Sequence, residues 1–106
     1  MPTINVIPGR YYLISDESET YLAYVFTRSD QKGSFYCVLL AVTETLKVRQ
    51  RKDDDGVQDG RCRSLSQVGR EISGQELEAI ITSRQDSPLI KRFLELVERR
   101  RGAEQK

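Results

Sequence analysis

The residues Ser34 to Val42, Ser-Phe-Tyr-Cys-Val-Leu-Leu-Ala-Val, lie in the longest stretch of the chain without a charge, proline or glycine. Their β-branched and aromatic content, and Gly33 just before them, favour a strand over a helix. Both parities are apolar or aromatic: Tyr36, Val38, Leu40 and Val42 on one side, Phe35, Cys37, Leu39 and Ala41 on the other. A strand with two apolar faces requires structure packed on each face and a neighbour at each edge, so this run is expected at the centre of a sheet.

Upstream, Glu19 to Arg28 has the same two-faced character, and the polar residues Ser29 to Gly33 are a suitable hairpin length. Pairing Arg28 with Ser34 sets Phe26 against Tyr36, Tyr24 against Val38 and Leu22 against Leu40. On the other face Val25, Ala23 and Tyr21 then meet Cys37, Leu39 and Ala41. Earlier still, Thr3 to Ile7 alternates as a short strand, Pro8-Gly9 signals a type II turn, and Arg10 to Ser15 is a further extended segment, the two being counted as one strand bent at Gly9. Tyr11 and Tyr12 point to opposite faces of it, so at most one is expected in a core.

After the central run, Thr43 to Lys52 places Leu46 and Val48 on one side and cations on the other, the pattern of a half-exposed strand. The loop Asp53 to Gly60 carries two Asp-Gly turn signals, and Arg61 to Leu65 is expected to return as a shorter strand, giving a second hairpin of open register. Ser73-Gly74-Gln75-Glu76 reads as a capping box opening a helix to about Ser83. Ser87-Pro88 opens a second helix, with Leu89, Ile90, Phe93, Leu94 and Val97 as an apolar stripe, ending at Gly102. The order β-β-β-β-β-α-α predicts an α+β fold: a curved antiparallel sheet of about five strands, open or closed into a small SH3-like barrel, followed by two C-terminal helices. With 106 residues, residues 1–102 are expected to form one domain and 103–106 a frayed tail.

The chemistry on offer is narrow. The chain has no histidine, and its cysteines Cys37 and Cys62 are too far apart for a Cys-x-x-Cys motif, so no catalytic set and no cofactor is expected. The acidic run fails the calcium-loop pattern, because the frame ending at Gly56 puts Arg51 first and Cys62 twelfth. No metal site is expected. Without a signal peptide or cysteine framework, a cytoplasmic location is expected and no membrane association.

The most suggestive feature is the basic ribbon Lys47, Arg49, Arg51, Lys52, Arg61 and Arg63. A solvated face is the plain reading of such a cluster. Of the functional readings, a protein-binding edge is favoured over nucleic acid. The net charge is only +1, and Asp53 to Asp55 stand where phosphate would approach. The expectation is a small soluble non-enzymatic protein-binding module or inhibitor-like regulator, with a nucleic-acid-binding β-ribbon as the alternative. The run Arg99-Arg100-Arg101 is sufficiently explained as cations at a helix C-terminus.

Overall fold

The computed structural model describes residues 6–16, 19–28, 33–43, 45, 56–83 and 87–104. The central run is β3 (Ser34–Val42), preceded by β1 (Tyr11–Asp16) and β2 (Glu19–Arg28) and followed by β4 (Val57–Ser64) and β5 (Val68–Ile72). The helices are α1 (Gly74–Ser83) and α2 (Pro88–Glu104), so the second helix passes Gly102. The expected strand at Thr43–Lys52 lies largely outside the described residues, as does most of Thr3–Ile7; Val6 and Ile7 are not in strand.

All five strands are antiparallel, in the order β4-β3-β2-β1-β5. Between Tyr21 and Val25 the β2–β3 register follows the hydrophobic pattern: Leu22 faces Leu40, Tyr24 faces Val38 and Val25 faces Cys37. It departs at Phe26. A bulge there moves Tyr36 opposite Thr27, so Phe26 has no partner of its own in the ladder. The Pro8-Gly9 turn forms as predicted, with Arg10 N donating to Ile7 O at 3.2 Å and Gly9 at φ 96°.

β4 differs from expectation. It begins at Val57 and pairs along β3, and Asp59-Gly60 is not a turn. The register shifts between Cys37 and Leu39, leaving Asp59 and Gly60 together opposite Val38, with Gly60 at φ 67°. An extra residue with a left-handed glycine is how a strand accommodates a bulge.

β5 was not evident in the sequence. Only its ends, Val68 and Ile72, are buried; Gly69, Arg70 and Glu71 are exposed, and it is held by backbone pairing to β1. A single 3-10 turn, Leu65–Gln67, connects β4 to β5, although these strands occupy opposite edges of the sheet. In a flat sheet those edges would stand about 19 Å apart. The chain from Ser64 to Val68 reaches about 14 Å at most, so the sheet must curl to bring its edges toward each other.

The curl does not complete a barrel. Among the described residues β4 and β5 do not pair, and the sheet stays open. The chain leaves β4 through a capping box in which Gln67 Oε1 accepts from Ser64 N at 3.1 Å, using a donor that a closing ladder would need.

Two hydrophobic clusters follow. One joins Leu22, Tyr24, Val38, Leu40 and Val42 of the sheet to Ile80 of α1 and Ile90, Phe93 and Val97 of α2. The other lies on the opposite face, where Val6, Tyr12, Ile14, Val25, Phe35, Cys37, Leu39 and Val68 pack with Leu65 of the 3-10 turn. Leu39, Leu40 and Phe93 are all in the core, as their pattern predicts. As expected, only one of the adjacent tyrosines, Tyr12, joins the core; Tyr11, on the opposite face, is partly buried and packs against the other cluster. Tyr12 is buried and its hydroxyl accepts from Ile7 N at 2.8 Å, while Tyr11 packs its ring 5.1 Å from Tyr24 and 6.3 Å from Phe93.

The capping box of α1 is complete: Glu76 N donates to Ser73 Oγ and Ser73 N to Glu76 Oε1, each at 3.2 Å. Arg70 adds an ion pair at 2.7 Å, and with the Ser73 amide it lowers the Glu76 carboxyl from its ordinary 4.5 to about 2. A carboxyl depressed in the folded state stabilises above its unfolded pKa and loses that contribution as pH falls through the folded one. Glu76→Gln should therefore lower Tm at pH 7, and the gap from wild type should close between about pH 4.5 and 2. A gap unchanged down to pH 2 would contradict the pairing.

Candidate functional site

The predicted basic ribbon is only partly within view. Lys47, Arg49, Arg51 and Lys52 lie outside the described residues, as do Asp53 to Asp55. Arg61 and Arg63 lie on β4, an edge strand whose outer side has no pairing partner among the described residues. Asp59, Gly60, Arg61, Cys62 and Ser64 are all exposed. For Gly60 exposure means bare backbone.

Alternation decides what this edge presents. Leu65 N donates to Gly33 O at 2.7 Å, which marks that pair as hydrogen-bonded. Every second pair in an antiparallel ladder shares that state, so Arg63–Phe35 and Arg61–Cys37 also turn their backbone groups toward β3. Cys62, between them, turns its N–H and C=O outward. The outward groups are guarded by nearby side chains. Arg63 Nη1 donates to Cys62 O at 3.0 Å, and Gln67 takes the Ser64 amide. Such covering is a known way to keep an edge strand from pairing indiscriminately.

Side chains alternate across the same strand. Arg61 and Arg63 share a face with Cys37 and Phe35, whereas Cys62 is paired with Tyr36 on the helix-bearing face. Arg63 is half-buried, with its Nε buried and without a hydrogen-bond partner. Beneath these arginines, burial pushes the Cys37 thiol up to about 12, a rise that the Arg63 charge only partly opposes. Cys37 is thus no nucleophile at ordinary pH.

On the helix-bearing side the edge is bordered by aromatic rings. Phe26, displaced by its bulge, stacks on Tyr36 with centroids 6.5 Å apart, and Tyr36 is 37% exposed. Arg100 of α2 lies over the Phe26 ring at 4.2 Å and pairs with Asp59 at 3.0 Å. This last contact went unread in the sequence, where Arg100 passed as a helix-end cation. Its signal is positional: Phe93, Val97 and Arg100 follow one another at helical spacing, so Arg100 extends the buried stripe of α2 toward β4. Because Arg100 neutralises Asp59, the described residues leave the β4 edge with the charges of Arg61 and Arg63.

Among the described residues, this arrangement brings no acid, base and nucleophile together. Among the described residues no three potential metal ligands cluster, and no helix is long and apolar enough to cross a membrane. Compared with known proteins, the chain matches no family model, no curated protein and no solved structure.

Proposed function

We propose that this protein is a non-enzymatic binding module or small regulator that engages another protein along the β4 edge. One observation carries the reading: β4 combines exposed backbone at Gly60 and Cys62 with two arginines on one face and a partly exposed aromatic pair on the other. Main-chain groups at an open edge supply affinity to an added strand, and alternate side chains supply selectivity.

The charge pattern favours protein over nucleic acid. Arg61 and Arg63 are close to a backbone edge that a polypeptide can ladder onto and a phosphate chain cannot, and a net charge of +1 gives the chain no bulk field to draw nucleic acid. Reversing both arginines, Arg61→Glu with Arg63→Glu, should abolish one specific complex isolated from the native cell; because Arg63 is half-buried, circular dichroism of the variant checks that it stays folded. The opposing result is binding of random oligonucleotides by the wild type at physiological salt, with an affinity falling in log salt at a slope of about −0.7 to −0.9 per phosphate contact and lost in the reversed variant.

A further inference from the structure

We propose that the β4 edge is selective for an extended acidic segment of the pattern acid–apolar–acid, and that the carboxylates themselves open the edge by drawing Arg63 off the Cys62 carbonyl. This rests on the binding-module reading above and names the chemistry of the partner.

The pattern follows from register. An added strand can make its closest pair of backbone hydrogen bonds only where β4 turns its groups outward, at Cys62 or Ser64, and Gln67 already holds the Ser64 amide, which leaves Cys62. The partner residue opposite Cys62 then projects to the helix-bearing face, beside Tyr36 and Phe26, where an apolar side chain is suited. Its two neighbours project to the other face, opposite Arg61 and Arg63. Carboxylates there form charge-assisted hydrogen bonds, whereas cations would sit directly against like charge.

The same geometry rules out a second copy of the chain. Two β4 strands paired antiparallel about Cys62 would set Arg61 of each against Arg63 of the other, four cations on one face with no free carboxylate between them among the described residues. Asp59 cannot relieve them, since Arg100 already holds it. The edge is thus built against self-pairing and in favour of an acidic partner.

The guard is the selective element. At rest, Arg63 Nη1 occupies the Cys62 carbonyl, and Gln67 the Ser64 amide. A neutral strand must displace Arg63 without compensation. A strand carrying a carboxylate gives that guanidinium a stronger acceptor than the carbonyl it leaves, so the acid both frees the acceptor and holds the freed cation.

The test uses capped heptapeptides, Thr-Ser-Glu-Val-Glu-Ser-Thr and its counterpart with lysine in place of each glutamate. Binding is followed by the Cys62 amide resonance and by protection of Cys62 from alkylation; Cys37 is buried and silent in that assay. The glutamate peptide should bind at least about tenfold more tightly than the lysine peptide, and the Arg61→Glu, Arg63→Glu variant should invert that order. Cys62→Pro removes the outward donor without touching the β3 ladder, a substitution edge strands tolerate, and should abolish binding in a folded protein, followed in this variant by the Arg61 and Arg63 amide resonances because the Cys62 amide and thiol are gone. Equal affinity of the two peptides, or no protection of Cys62 at millimolar peptide, overturns the proposal. In that case an arginine-dependent complex from the native cell would leave the binding-module reading standing. Displacement of the glutamate peptide by random oligonucleotides at physiological salt would bring down both, and a wild-type dimer lost on Cys62→Pro would overturn the acidic-partner assignment.

Discussion

Phe93→Ala should destabilise the protein by about 3–5 kcal/mol, a large share of the roughly 5–15 kcal/mol that holds a domain of this kind together. Phe93 is 1% exposed and stands where α2 meets the sheet, in one cluster with Leu40, Val57, Ile90 and Val97. Removing its ring deletes transfer free energy and leaves a cavity between layers that cannot collapse without moving the helix. It also takes away the neighbour of the Tyr11 ring, so the near-UV signal of the tyrosines should weaken along with Tm. A Tm within a degree or two of wild type would mean that α2 is not docked as described.

Leu39→Ala should cost about 2–5 kcal/mol through the other face of the same strand. Leu39 is fully buried, pairs with Ala23 and belongs to the cluster of Phe35, Cys37 and Val25, which no described helix residue joins. The loss should therefore appear without disturbance of the Tyr11–Phe93 contact. The two variants together test the two-sided core. If Leu39→Ala were neutral, the curl of the sheet would not be burying its second face.

Both buried faces were legible because β2 and β3 are apolar at both parities, and periodicity reports burial directly. The helices were legible from their caps: Ser73 and Glu76 close the box that their spacing predicts. Where the sequence misled, local pattern yielded to pairing. Asp59-Gly60 reads as a turn, yet the left-handed conformation that glycine permits there serves a bulge within β4. Val68 to Ile72 has too few apolar residues to announce a strand, because an edge strand with a solvated middle needs only its backbone matched to β1. Phe26 looked like one more alternating strand residue, and the bulge that puts its ring against Tyr36 and Arg100 leaves no trace in hydrophobicity. Of the six cations singled out as a site, Arg61 and Arg63 fall on an open edge, and their shared face follows from a pairing with β3 that the hairpin reading did not contain.

The account turns on β4 being an open edge whose Cys62 backbone faces solvent while its neighbours are bonded to β3. Amide hydrogen exchange on the free protein measures this directly. Arg61 and Arg63 amides should exchange slowly, through opening of the β3–β4 ladder, and the Cys62 amide between them should show almost no protection. Protection at Cys62 equal to that at Arg61 and Arg63 would mean that something already pairs with this edge, and the proposed binding surface would not exist.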